Sequence, residues 1–221
     1  MNPANLAVPP AAALPSASPP QLDVPTVLTL GEPSAREIGT LVTVLLRAAG
    51  VGAAFASRAD DMRDLMQDHE VGALVFKLSA DAIASYELPV TRADVVVMAS
   101  IPTPDVDALL VAAHTVGPLG RLVLNADVPG LVSFARLLDT PVIWYSAHPE
   151  NSAVLDGVAA WGDGATIVDG HLMVAHDGAW CDAGRVAKLP PHTPPQVALA
   201  AALAAMCAGV PLSKVVAALP A

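Results

Sequence analysis

Residues 26–50 read TVLTL, GEPSAREI, GTLVTVLLRAAG. A short β-type run (Val27, Leu28, Leu30) meets Gly31, then a turn, then an amphipathic helix that closes at Gly50. This strand–glycine–helix layout is the one that cradles nucleotide phosphates on backbone amides. The second glycine, the lysine and the hydroxyl that would do the cradling are absent. In their place Ser34-Ala35-Arg36-Glu37 reads as a capping box, with Ser34 as N-cap and Glu37 at the third helical position. Such a box would satisfy the helix amides with side chains and set a negative charge where phosphates would sit. Arg36 is the counter-argument, but a single cation without a glycine loop is a weak anion site.

Other constellations carry less chemistry. His171, His176 and Cys181 lie near Asp177 and Asp182. Their five-residue spacing does not keep to one face of a strand, so a metal site is disfavoured. Ser146, His148 and Glu150 suggest nucleophilic catalysis, but no Gly-x-Ser-x-Gly elbow surrounds them. His114 is expected half-buried on an alanine–valine helix face.

The elements that would position these residues follow from pattern. Strands are predicted near 26–30, 51–56, 72–77, 93–99, 121–125 and 141–145. Helices are predicted at 34–49, 60–69, 79–86, 105–115 and 130–138. Runs such as GALVF and ADVVVMAS are apolar without alternation, as in strands covered on both faces. The β-α-β-α order predicts an α/β, doubly wound, mostly parallel sheet. After residue 146 the pattern changes. ATIVDG-HLMVAHDG predicts a small β-hairpin turning at Asp169-Gly170, with Trp180 and Cys181 extending the meander. Trp144 and Tyr145 are expected to pack that hairpin against the sheet. Two helices at 195–208 and 212–219 are separated by Gly209 and Pro211.

Composition sets the limits. The chain has 221 residues, 54% hydrophobic and only 4% aromatic, which suits many alanine-sized helix–sheet contacts. A net charge of −10 and a pI near 4.8 disfavour nucleic acid as a partner. Mean hydropathy is +0.54, yet the longest uncharged stretch, 189–212, is rich in proline and alanine and is not read as a membrane span. Cys181 and Cys207 form no framework, so a cytoplasmic location is expected. Residues 1–25 hold seven prolines and read as a disordered tail biased to polyproline II, either an inert spacer or a tether to a partner. Residues 26–221 form the expected domain.

This order of pieces resembles the central ATPase domain of Mur ligases, most closely the Mur-ligase-like part of cyanophycin synthetases. The resemblance covers 26–219 and is strongest in RLVLNADVPGLVSFARLLDTPVIWYS, residues 121–146. It implies an ATP-dependent, magnesium-assisted joining of an amino acid to a carboxylate. Laid on the family's loop Gly-Thr-Asn-Gly-Lys-Thr-Thr, Gly31 keeps the first glycine. Ser34 stands for the next glycine, Ala35 for the lysine, and Arg36 and Glu37 for the threonines. Lys77 stands where a magnesium-binding glutamate is expected, and a cation there opposes the ion. Its ammonium is free in solvent or pairs with Glu37. The family's later histidine is missing after Ser100-Ile101, and His192 is offset in the last nucleotide element. Asn125 and Asp127 persist at a strand end near the implied nucleotide, although Asp127 also reads as the cap of the helix after Pro129.

The resemblance thus implies a degenerate nucleotide site built from Gly31, Ser34, Arg36, Lys77, Asn125 and Asp127, with no catalytic residue, no metal ligand and no cofactor. The function expected is a catalytically inactive binding or scaffolding module. It would act as a homodimer or as a heteromer with an active ligase of the same family. Leu199, Leu203 and Met206 on the alanine-rich helix are mostly core, though small residues there would admit a second helix. The alternative is an acid–amino-acid ligase subunit completed by a partner chain, which would use ATP and Mg²⁺.

Overall fold

The computed structural model describes residues 24–58, 61, 64–65, 70–85, 88–101 and 106–219. The predicted tail up to residue 23, and most of the helix predicted at 60–69, lie outside the described residues. Seven strands run parallel: β1 (Thr26–Leu30), β2 (Ala53–Ala56), β3 (Ala73–Lys77), β4 (Ala93–Met98), β5 (Val116–Asn125), β6 (Val142–Tyr145) and β7 (Gly164–Val168). β8 (His171–His176) and β9 (Ala179–Arg185) are added antiparallel, giving the order β2-β3-β1-β4-β5-β6-β7-β8-β9.

The parallel strands are covered on both sides, which explains their unbroken apolar runs. Val27, Val95, Val97, Val123, Ile143 and Tyr145 pack toward α1 (Ala35–Ala48), α6 (Pro195–Cys207) and α7 (Leu212–Ala218). Leu28, Leu30, Val96, Met98, Leu122 and Leu124 pack toward α2 (Ala80–Ala84), α3 (Val106–His114) and α4 (Pro129–Ala135). Alternation by one residue moves a side chain from one layer to the other. The expected wealth of alanine contacts is found in α6, where every residue from Val197 to Ala205 is buried. The helix that approaches this small-residue surface is α1 of the same chain. α6 is therefore not free to receive a helix from a second molecule.

The chain leaves β1 for β2 and β3 on one side, then passes back over β1 to β4 on the other. β1 is thus the strand where the winding reverses, and the crevice at its carboxyl end is the ligand position typical of such sheets. The hairpin turns are Asp169-Gly170 and Asp177-Gly178, with φ of 50° and 77°, then 51° and 79°. Both central residues of each turn are left-handed, as tight β-hairpins require. The hairpin continues the main sheet, because β7 pairs in parallel with β6. Trp144 and Tyr145 belong to β6 itself. Tyr145 lies in the α1–α6 layer, while Trp144 lies under α5 (Ser152–Trp161).

Three departures from the sequence reading have local causes. α5 was not anticipated, because Gly157 interrupts its apolar run. That glycine is there because a Cβ would come within 2.9 Å of Trp144 Cδ1. β5 starts earlier than predicted, at Val116. After Val116 pairs with Ala93, the strand bulges and Arg121 is the next residue paired, with Val95. The capping box does not form. Ser34 is helical (φ −79°, ψ −17°) and its side chain makes no cap bond, whereas an N-cap is normally extended. The helical path already begins at Gly31, whose carbonyl accepts from Ala35 N–H at 3.0 Å. Asn151 does cap α5: its backbone is extended and its side chain accepts from Ala153 N–H at 3.0 Å.

The two caps therefore differ in a measurable way. Asn151→Ala is expected to lower stability by about 1 kcal/mol, the usual worth of an N-cap. Ser34→Ala is expected to change it by less than about 0.5 kcal/mol. Urea denaturation of both variants checks this, and a larger loss in Ser34→Ala would mean that its hydroxyl caps α1 after all.

Candidate functional site

The carboxyl ends of β1, β3 and β4 meet at Gly31, Lys77 and Ser100. Gly31 is buried with φ +94°, and an added Cβ would sit 2.7 Å from Ser100 Oγ and 2.8 Å from Ser100 O. Only glycine fits both the angle and the space. The strand ends are joined beyond it. Ala99 N–H donates to Leu30 O at 3.0 Å, and Ser100 Oγ–H donates to Glu32 O at 3.1 Å. Lys77 Nζ forms an ion pair with Glu32 Oε1. The predicted alternative partner, Glu37, is not used; it lies on α1 and lines a groove with Arg36 and Leu189. Glu32 was missed in the sequence. Its one signal was its place directly after Gly31, in the turn where phosphates would lie.

The next strand ends are tied in turn. Asn125 Nδ2 donates to Ala99 O at 3.2 Å, and its Oδ1 accepts from Asp127 N–H at 3.0 Å. Asp127 does not cap the helix after Pro129. The cap position of α4 is Val128, with no side-chain bond. The Asp127 carboxylate instead accepts from Ser146 Oγ–H and, at 2.8 Å, from Ala147 N–H, stitching the end of β5 to the end of β6. Ser146 is fully buried, and His148 reaches it through its backbone N–H at 2.9 Å rather than its imidazole. No Ser–His dyad exists there. Beside this stitch Tyr145 is fully buried with no partner for its hydroxyl among the described residues. Burial first, and then the negative charge of Asp127, hold its phenol far above the ordinary range.

Arg36 is not part of the crevice. It is exposed on α1 and lines a groove of about 470 Å³ with Glu37, Val44, Leu189, Pro190 and Leu219. Ser34 stands half-buried at the start of α1 with no ligand-directed bond. The structure thus brings Gly31, Lys77, Asn125 and Asp127 along one edge and sets Arg36 apart. His114 is exposed at the end of α3 rather than half-buried, and His192 is exposed with φ +69°.

The hairpin residues pair off separately. His171 Nδ1 meets Asp182 at 2.7 Å, and His176 Nδ1 meets Asp163 at 2.8 Å. No group of three or more His, Cys, Asp or Glu able to hold a metal occurs among the described residues. Cys207, beside Asp163 and Arg121, is pushed up to about 12, mainly by burial, and so stays a thiol. Among the described residues no helix is long and apolar enough to cross a membrane.

Magnesium and a nucleotide, which the resemblance implies, are a poor fit to the crevice. Ala35, at the lysine position, is fully buried and its amide is already bonded to Gly31 O. Lys77 presents an ammonium where the resemblance implies a carboxylate for the ion, and that ammonium is paired with Glu32.

No protein-family model matches the sequence, and no curated protein matches it. Solved structures do share the fold. A UDP-N-acetylmuramoyl-L-alanyl-D-glutamate–2,6-diaminopimelate ligase superposes with a TM-score of 0.64 at 12% identity, covering 89% of this chain and 46% of its own. A murein peptide ligase from Psychrobacter arcticus 273-4 gives 0.58 at 15%, covering 89% and 46%. A pseudomurein peptide ligase type C from Methanothermus fervidus gives 0.62 at 14%, covering 90% and 49%. The chain therefore spans about half the length of these proteins. Identities this low establish the fold, which is that of Mur ligases.

Two measurements follow from this geometry. Asp127→Ala leaves the Ala147 amide without its acceptor and the Ser146 hydroxyl with only His148 O, at 3.2 Å, so a loss of about 1 kcal/mol or more is expected. Tyr145→Phe removes only an unpartnered hydroxyl and is expected to be neutral or stabilising. Denaturant midpoints decide both, and a stable Asp127→Ala variant would mean that the stitch carries no structural weight.

His176 is held above its ordinary value of 6.5, first by its hydrogen bond to Asp163. A raised folded-state pKa stabilises fully below the unfolded value and is lost as pH rises through the folded one. Stability is therefore expected to fall as pH rises from about 6.5 through the His176 midpoint. NMR titration should place that midpoint above 6.5, and Asp163→Asn should bring it down. A midpoint at or below 6.5 would contradict the pairing.

Proposed function

We propose that this chain is a Mur-ligase-like domain without magnesium-ATP chemistry, kept as a binding or scaffolding module. The observation that carries this reading is the Lys77–Glu32 ion pair across the crevice. Phosphate sites work by presenting uncommitted N–H groups and a cation, with carboxylate oxygens reserved for the metal. Here the signs are inverted. An incoming phosphate meets Glu32, and an incoming Mg²⁺ meets Lys77. A phosphate or a Mg²⁺ must break this pair to reach the charge that attracts it, and it meets the like charge of the other partner as it does so.

The partner of such a module is an active ligase of the same family, or a second copy of this chain. The rival reading, an acid–amino-acid ligase subunit completed in trans, draws support from the fold shared with peptide ligases. It needs a partner chain to bring both a phosphate-binding cation and a metal carboxylate to this edge.

Titration calorimetry of the chain with magnesium-ATP separates the two. No heat of binding and no ATP hydrolysis above a buffer blank are expected. A micromolar dissociation constant, or turnover by protein free of copurifying enzymes, would overturn the scaffolding reading in favour of the ligase.

A further inference from the structure

At the opposite, amino edge of the sheet lies a groove of about 380 Å³ that the crevice chemistry does not involve. Trp144 and Trp161 line it together with Val132, Leu138 and Pro141, and Arg136 and Asp139 supply charges of opposite sign. Trp161 is 60% exposed, which is a large apolar area to leave in water. Aromatic-lined grooves of this kind are the usual seat of polyproline II segments, whose preformed conformation costs little entropy to dock.

The chain carries such a segment within reach. Residues 14–22 read LPSASPPQL and contain no charged side chain. Pro19, Leu22 and Pro25 recur every third residue, so a polyproline II helix of three residues per turn would align them on one face. The described chain begins at Val24, just before β1 at the same amino edge. Val27 pairs with Val95, Val95 with Arg121, and Leu122 with Val142, so Val27 and Pro141 share one rung of the sheet. Three strand spacings separate them, about 14 Å. The stretch between Val24 and residues 15–20 spans about 12–28 Å at the polyproline II rise.

We propose that the groove between Trp144 and Trp161 is the docking site for this chain's own proline-rich segment, residues 14–22, as a polyproline II ligand bound in cis. The segment is then an internal ligand of the amino edge rather than an inert spacer. Leu22 and Pro19 supply apolar contacts one turn apart, and the prolines stack on the indoles. The docking leaves the carboxyl-edge crevice untouched, so it stands or falls independently of the function proposed above.

The test uses the full chain with tryptophan-selective ¹⁵N labelling, which gives indole signals for Trp144, Trp161 and Trp180. The variant Pro19→Gly/Pro20→Gly/Leu22→Ser is expected to shift the Trp144 and Trp161 signals and leave Trp180 in place. Unmoved signals, or a shift of all three, would overturn the docking. In the background of Trp161→Ala, an exposed position, the Trp144 signal is expected to lose its response to the tail substitutions. A response retained in full would overturn the groove as the seat. The wild-type signals are expected to hold constant across a dilution series. Concentration dependence would overturn the cis assignment in favour of a tail from a second copy.

Discussion

The geometry of the carboxyl edge depends on the contact between Gly31 and Ser100. β1 and β4 lie side by side, and their last shared hydrogen bond runs from Ala99 N–H to Leu30 O. One residue later the chain turns at φ +94° so close to Ser100 that no side chain fits between them. That closeness puts Glu32 O within reach of the Ser100 hydroxyl. With the Glu32 backbone held there, its side chain meets Lys77 from β3. Three strand ends are joined through one missing Cβ.

In the function proposed above, the Lys77–Glu32 pair matters for what it would exclude more than for what it stabilises. Glu32 is 57% exposed, and ion pairs in such settings contribute about 0–1 kcal/mol to folding. A ligand could displace a pair that weak if anything at the edge favoured the ligand. Lys77 and Glu32 are charges at this edge, and each is neutralised by the other. The position that would supply a phosphate cation is the buried Ala35, and the position that would supply a metal carboxylate is itself a cation. The exclusion proposed above rests on these two charges being spent on each other, not on the strength of their mutual attraction.

Much of the architecture was legible because burial on both faces leaves a direct mark on sequence. Strands such as ADVVVM have no polar alternation, and Asp169-Gly170 announces its turn by residue type alone. The site was legible only as a set of positions. Whether Ser34 caps a helix depends on its ψ, which the turn beginning at Gly31 decides. Asp127 looks like a cap beside Pro129, but its partner Ser146 is 19 residues away, just past the end of the neighbouring strand. Lys77 and Glu32 are brought together by strand order, which local spacing does not encode. α5 was hidden by Gly157, a residue whose reason is the ring of Trp144 on another element.

A site prepared for a ligand keeps polar groups unspent until the ligand arrives, held in place by neighbours. The edge from β1 to β6 does the reverse. Ser100 donates to Glu32 O, Asn125 bridges Ala99 O and Asp127 N–H, and Asp127 receives Ser146 and Ala147. The buried side chains left without partners, Thr29, Tyr145 and Thr166, belong to strands within the packed layers. Thr29 lies against Gly39 of α1, and Tyr145 lies in the α1–α6 core. Among the described residues, Ser100, Asn125, Asp127 and Ser146 are thus committed to holding strand ends together. An edge whose side-chain hydrogen bonds are spent internally keeps few polar groups for a ligand, and the scaffolding role proposed above rests on that.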